Sequence, residues 1–232
     1  MRVAALYDVH GNLPALEAVL VDLEREGVDA IVFGGDLTWG PLPAETLSLA
    51  RSIERARFVR GNCDRDPDEW ERSCLAEEEV AFLQTLPVTL ELDGVLYCHA
   101  TPRSDEEVVT PATSDERLAA ILAGVEQQTV VAGHTHMQQD RRLPDVRFVN
   151  AGSVGLPYEG EVAAFWALLA DGDVELRMTP VDRGRIERML RESRWPPAPE
   201  ILRENVLQVV SREQAIAELE GSAHATLVTP PE

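Results

Sequence analysis

The chain contains no lysine: all 21 basic residues are arginine, set against 41 acidic residues, for a formal charge of -20. That absence excludes Schiff-base chemistry and any phosphate loop built on a lysine. The acidic excess argues against a long nucleic-acid footprint, which draws on many cationic contacts to phosphate. Small phosphorylated substrates drawn to a local metal charge remain compatible with it. Cysteine is scarce, at three in 232 residues, and no two are spaced as Cys-x-x-Cys. Cys63, Cys74 and Cys98 therefore make neither a thiolate zinc site nor a disulfide scaffold, and Cys74 and Cys98 read as core thiols. No apolar run approaches the roughly 18–20 residues that would span a bilayer. The N-terminal segment meets Asp8 too early for a signal peptide, so a cytoplasmic enzyme with no membrane association is the expectation. A hydrophobic fraction of 44% and a charged fraction of 27% are those of an ordinary globular chain, long enough to build a core without staples.

What is present is a set of polar motifs beside strand ends. Val3 to Tyr7 reads as a buried strand, followed by a helix from Leu13 to Glu26 capped by Asn12, with Leu13, Leu16, Leu20 and Leu23 on one face. Asp29 to Phe33 is a second strand, Pro43 to Arg55 a helix, and Arg57 to Val59 a third strand; this alternation predicts a parallel sheet with covering helices. A polar helical segment spans Asp68 to Leu86. A hairpin, Val88 to Leu92 and Val95 to His99, turns at Asp93-Gly94. Ser114 caps a helix to Val125, Thr129 to Ala132 is a strand, and further strands are expected at Val146 to Val149, Val162 to Leu169 and Val174 to Thr179, the last two joined at Asp171-Gly172. From Val181 onward two surface helices are expected, Arg183 to Arg194 and Ser211 to Glu220, separated by a Pro-rich stretch. Gly221 to Glu232 lacks periodicity.

Four of the five histidines fall in these motifs: Asp8-x-His10-Gly11, Gly34-Gly35-Asp36, Gly61-Asn62-Cys63-Asp64, His99 and Gly133-His134-x-His136. Each sits just past a strand's C-terminal end, where an open α/β sheet exposes its functional edge. Asp8 and His10 are two apart, so a still-extended chain would project both to one side, and Gly11 then permits a sharp turn. One carboxylate can bridge two metals held ~3.5–4 Å apart. Taken singly, each motif has a plain structural reading: Asp8 and Asp36 as caps, Asn62 as a turn residue, His99 as a satisfied core histidine, His134 and His136 as a surface loop. Holding all those readings at once leaves the joint order and spacing unexplained.

The ordered set resembles the calcineurin-like metallophosphoesterase superfamily, and its Gly-Asn-Cys-Asp motif resembles the small bacterial and archaeal phosphodiesterase branch; Asn150-Ala151-Gly152-Ser153 is similar to that family's Asn-x-Gly-Ser segment. The resemblance implies an α/β fold of two mixed sheets sandwiched between helices, over residues 1–181; the change of character from Val181 onward marks residues 182–232 as a small C-terminal helical extension and tail. It implies one divalent metal on Asp8, His10, Asp36 and His136, and a second on Asp36, Asn62, His99 and His134. A metal-bridging hydroxide would attack a phosphodiester in line. Mixed imidazole, carboxylate and amide donors suit Mn²⁺, Fe²⁺, Ni²⁺ or Zn²⁺, with manganese favoured and magnesium disfavoured. Much of the family has His where Cys63 stands, and there it assists the leaving group. A thiol, with a pKa near ~8.5, donates weakly, so a preference for acidic leaving groups is expected. Asn62, Cys63 and Arg103 are candidate substrate contacts, the guanidinium fork of Arg103 suiting phosphate unless Asp105 or Glu106 holds it. Arg60 and Arg65 carry the same ambiguity. The polar loop Thr101 to Thr113 is a candidate lid. The C-terminal helices offer a homodimer surface. Rival readings are a scaffold with a degenerate metal site, a phosphomonoesterase, a dinucleotide polyphosphate hydrolase and a nuclease; the scaffold reading requires eroded ligands, and none is eroded.

Overall fold

Alternation in the first strand sets the layering. In the computed structural model, which describes residues 1–228 and side chains through residue 221, β1 runs Arg2–Leu6. Ala4 and Leu6 face Leu16, Val19 and Leu23 of α1 (Leu13–Glu26). Val3, Ala5 and the following Tyr7 face the opposite way, toward Tyr97, Val131 and Val149 of a second sheet. The period of two thus places one apolar set under a helix and the other between sheets.

The first sheet adds β2 (Ala30–Phe33) and β3 (Ala56–Phe58) in parallel to β1. The second contains β4 (Thr89–Leu92), β5 (Val95–Cys98), β6 (Thr129–Ala132), β7 (Gln139–Arg142) and β8 (Arg147–Asn150) in the order β4-β5-β6-β8-β7, with β5, β6 and β8 parallel. β9 (Ala163–Ala170) and β10 (Asp173–Pro180) return antiparallel to complete the first sheet as β10-β9-β1-β2-β3. α1 and α2 (Pro43–Arg51) cover the first sheet, and α6 (Asp115–Ile121) covers the second through Leu118 and Ile121. The result is two mixed five-stranded sheets between helices, the fold class the resemblance implied. The Tyr7 hydroxyl donates to the Val131 carbonyl at 2.9 Å, tying one sheet to the other.

Both expected hairpins form, with Asp93 and Gly94 at φ 54° and 76°, and Asp171 and Gly172 at 54° and 81°, the left-handed pair that a two-residue turn requires. Asn12 caps α1 by accepting from Ala15 N, and Ser114 caps α6 by accepting from Arg117 N. Several expected bounds shift. The helix from Pro43 stops at Arg51, and the segment from Asp68 to Leu86 divides into α4 (Glu69–Cys74) and α5 (Glu77–Gln84). A single turn, α3 (Asn62–Arg65), and the polar edge strand β7 lie where no element was expected.

In the extension, α7 (Arg183–Glu192) is followed by α8 (Ala198–Ile201), which continues as a π-helix over Leu202–Gln208, so the Pro-rich stretch separates α7 from the next helix and its last residues also open that helix. Prolines in a first helical turn remove only donors that have no partner there. α9 (Arg212–Val228) runs through part of the segment read as aperiodic; the last four residues of that segment lie outside the described residues. Ile186, Leu190, Trp195, Ala198, Leu202 and Val206 form one buried cluster that packs the extension together. Among the described residues no helix is long and apolar enough to cross a membrane.

Candidate metal centre

Every motif identified in the sequence converges where the C-terminal ends of the parallel strands of both sheets meet. Asp8 and His10 follow β1, Asp36 follows β2, Asn62 follows β3, His99 follows β5, and His134 and His136 follow β6. The chain does not leave the strands extended, as the i, i+2 spacing suggested. Asp8, His10, Asp36, His134 and His136 all have φ between 50° and 67°, the left-handed region that side chains with a Cβ rarely adopt. Such strain persists only when surrounding contacts over-determine the conformation. Those contacts are explicit. Asp8 N donates to Gly35 O, His10 N to Asp36 O, and Ser153 Oγ to Asp8 O. The Asn150 amide donates to Gly133 O and Thr135 Oγ1, shaping the turn that carries both histidines. A Cβ at Gly61 would overlap Asp36 Oδ1, and one at Gly133 would overlap Asp8 Oδ2, so both motifs require glycine for the carboxylates to reach the backbone.

The ring orientations are fixed by main-chain carbonyls, which can only accept. His10 Nδ1 donates to Trp39 O (3.1 Å), His99 Nδ1 to Gly34 O (2.9 Å), His136 Nδ1 to Leu156 O (2.7 Å) and His134 Nε2 to Glu106 O (3.2 Å). Each carbonyl fixes its ring and turns the other nitrogen toward the site, as partners of metal-binding histidines do. His10 Nε2 and His136 Nε2 approach to 3.1 Å. Asp8 Oδ1 is buried without a hydrogen-bond partner and is ringed by Nε2 of His136 at 3.4 Å, His10 at 3.8 Å and His99 at 3.9 Å. Asp36 Oδ2 lies between His99 Nε2 at 3.5 Å and His10 Nε2 at 4.0 Å. The donors of Asp8, His10 and His136 form one group within 4.8 Å of one another, and those of Asp8, Asp36 and His99 form another. Asn62 Oδ1 is 3.0 Å from His99 Nε2, and the His134 ring packs on His99 with centroids 5.1 Å apart, outside both three-residue groups. An orphaned carboxylate oxygen among oriented imidazoles fits divalent cations of the borderline class.

Electrostatics divides the acids. Burial opposes ionisation of Asp8, but His136, His99 and His10 outweigh it, and the carboxyl sits below its usual range. Asp36 is likewise lowered, burial being overcome by His99 and His10 together with the Cys63 N–H. Burial and then His136 push His10 down to about 4; burial and then His99 do the same to His134. His99 goes the other way: Asp36 and Asp8 overcome burial and raise it to about 10.

The remaining candidates divide. Cys63 donates its backbone N–H to Asp36 Oδ1 at 2.9 Å; its thiol, raised by burial and by Asp36, stays neutral and is no reactive thiolate. Arg103 is exposed and paired with Glu107, while Arg65 takes Asp105 and Glu106, both at 2.5 Å. Arg60 reaches only Gln84 O, at 3.3 Å. The 101–113 loop is tied down: Val109 O accepts from Thr135 and Gln139, and Thr110 Oγ1 donates to Glu220 at 2.5 Å. Cys98 is buried, as a core thiol should be, and Cys74 is half-buried.

Supporting residues had weaker signals in the sequence. Asp64, quoted in its motif without a role, accepts from Asp36 N and Gly61 N at 2.8 Å and from Leu37 N at 3.2 Å, and so holds the Asp36 turn. Buried Glu71 accepts from Thr38 Oγ1 at 2.7 Å and closes a capping box on α4. Trp39 and Tyr158 pack on His10 and His136, with centroids 5.3 and 4.9 Å apart, and no motif marked either.

Residues 1–172 match the profile of the calcineurin-like phosphoesterase superfamily domain. The chain is 29% identical over 187 residues to phosphodiesterase YfcE of Escherichia coli K12, covering 75% of this chain and 89% of YfcE. It is 26% identical over 216 residues to an uncharacterized protein, MJ0912, of Methanocaldococcus jannaschii, covering 78% of this chain and 87% of that one. Among solved structures, a metallophosphoesterase from Sphaerobacter thermophilus superposes with a TM-score of 0.73 at 26% identity, covering 83% of this chain and 94% of that one.

Proposed function

The chain belongs to the calcineurin-like phosphoesterase superfamily, and from that premise we propose that it is a binuclear metal-dependent phosphodiesterase acting on a small phosphorylated substrate. Asp8, His10, Asp36 and His136 would hold one divalent ion, and Asp36, Asn62, His99 and His134 the other, with Asp36 shared. The observation that carries this assignment is Asp8 Oδ1, a buried carboxylate oxygen without a hydrogen bond, facing three imidazole nitrogens. The position of Asp36 Oδ2 between His99 and His10 supports its shared role. Manganese is the favoured ion, with iron, nickel or zinc also suited to the donor set. Divalent ions supply charge neutralisation at phosphate and acidify water for attack on phosphorus.

The residues have separable tasks in this proposal. Each imidazole presents one nitrogen because a carbonyl holds the other, so the donors need no reorganisation. Cys63, neutral and weakly donating, gives a departing alkoxide little help, which fits substrates with acidic leaving groups. Cys63→His should then speed hydrolysis of alkyl esters severalfold while leaving nitrophenyl esters little changed; an unchanged or slower alkyl rate would sink that role. Arg103 belongs at the rim, where Glu107 competes for its guanidinium. The diester preference draws support from the relative YfcE, a phosphodiesterase. Residues 1–181 are proposed as the catalytic unit and residues 182–232 as its appendage. Three free cysteines fit a reducing, cytoplasmic setting.

The deciding experiment is hydrolysis of bis(p-nitrophenyl) phosphate by metal-stripped protein with Mn²⁺, Ni²⁺, Zn²⁺ or Mg²⁺ restored. Metal-dependent nitrophenol release, absent in Asp36→Asn, is expected. Two bound ions with no turnover under any metal would overturn the proposal.

A further inference from the structure

Where the extension packs against the sandwich it leaves a small cavity in the seam, about 30 Å³ in volume. That is room for one or two groups the size of a water molecule. Val154, Val162, Ile186 and Leu190 make its wall apolar, His10 of the donor set lines it, and among the described residues no charged side chain does. Trp195 and Asn205 of the extension line it as well. Nε1 of the Trp195 indole and Nδ2 of the Asn205 amide are both buried without a hydrogen-bond partner, and Trp195 is 3% exposed. The other polar side chains of the lining are already engaged. The Asn12 amide donates to Gly155 O and its carbonyl oxygen accepts from Ala15 N, while His10 Nδ1 donates to Trp39 O. Leaving a buried N–H bond unmade is costly, and here two such donors share one apolar cavity. Their common complement is an uncharged oxygen acceptor on a short apolar body. A carboxylate or phosphate would lose its water there with no cation to offset the loss, and an ammonium has no lone pair to offer an N–H donor.

We propose that this cavity is a subsite for a short, uncharged arm of the phosphodiester substrate, whose ether or alcohol oxygen accepts from Trp195 Nε1 and Asn205 Nδ2. The subsite rests on the phosphodiesterase reading only for where the phosphate sits. With phosphate at the metal donors, the arm passes the His10 ring into the seam, so the sandwich holds the phosphate and the extension reads the arm. Trp39 joins the two regions, its ring packing on Trp195 with centroids 5.0 Å apart and on His10 at 5.3 Å. An arm with a methylene in place of the oxygen leaves both donors unmade, which is how a hydrogen-bonding site rejects an analogue.

The test uses the full chain and two alcohols that differ by that one replacement, 2-methoxyethanol and 1-butanol. In isotope-labelled protein, 2-methoxyethanol should move the Trp195 indole proton resonance downfield, as a newly accepted hydrogen bond does, and 1-butanol should not; loss of the resonance in Trp195→Phe assigns it. The p-nitrophenyl phosphodiesters of the two alcohols should differ at least about fivefold in kcat/KM in favour of the methoxyethyl ester, the scale of one net hydrogen bond. Trp195→Phe and Asn205→Leu should each narrow that ratio. An indole resonance that responds to both alcohols alike or to neither, an ester ratio near one, or a ratio unchanged in both variants would overturn the subsite. A selective indole shift with no hydrolysis of either ester would uphold the subsite and remove the phosphodiesterase reading instead.

Discussion

The two sheet edges that meet at the centre contribute opposite chemistry. The first sheet brings both carboxylates, Asp8 and Asp36, with His10 and Asn62; the second brings His99, His134 and His136. Neither edge is tolerable alone, because two buried carboxylates without compensation would neutralise rather than ionise. The contrast is visible on the first edge itself. Asp8 and Asp36, which face the imidazoles, are lowered. Asp64 and Glu71, a few ångströms behind them, are raised by burial to about 6 and about 7, Asp64 also by the charge of Asp36. Facing direction, more than depth, decides which acids are lowered and which are raised.

Removing Asp36, the carboxylate proposed to be shared, should break the pairing of the edges most severely. Asp36→Asn is expected to reduce metal-dependent hydrolysis on the order of a thousandfold, since several kcal/mol of charge stabilisation depend on it; a loss below tenfold would refute its bridging position. Asp64→Asn acts one step back. It replaces a three-fold backbone acceptor with a group that cannot accept from all three N–H donors, at about 1–3 kcal/mol of stability and roughly 10–100-fold in metal affinity. Chemical denaturation and metal titration would read the two effects separately.

Glu71 sharpens the comparison through pH. Burial raises its carboxyl from 4.5 to about 7, so the folded chain holds a proton that the unfolded chain has released. Its contribution is present below about pH 4.5 and is lost as pH rises through about 7. Glu71→Gln should therefore gain on the parent chain between pH 5 and pH 8 in urea midpoints; a parallel shift at both values would contradict the assignment. The smallest effect is expected for Tyr7→Phe, which removes the hydrogen bond between sheets at about 1 kcal/mol, with a matching shift in midpoint and no change in the slope of the transition.

Most of the first sheet was legible in the sequence, and so was the set of polar motifs that the fold gathers at one edge, because buried parallel strands end in glycine-flanked polar motifs. β7 was not: Gln139, Asp140, Arg141 and Arg142 carry no apolar alternation, and their pairing with β8 is set by position at the sheet edge. α3 is too short for periodicity to register. The second sheet came only with the family resemblance, since its strand order depends on contacts far apart in sequence. Least legible was the left-handed backbone of five donor residues. Local preference opposes that conformation, and only the assembled turns impose it.

The layer between the sheets sets the large rings of Tyr7 and Tyr97 beside small side chains at Ala5, Ala30, Ala151 and Ala167, all nearly or fully buried. Ala5 and Ala167 are register partners on adjacent strands. That layer works as a spacer gauge. Its thickness fixes how far the carboxylate bank stands from the imidazole bank, so residues well away from either bank calibrate the gap between them.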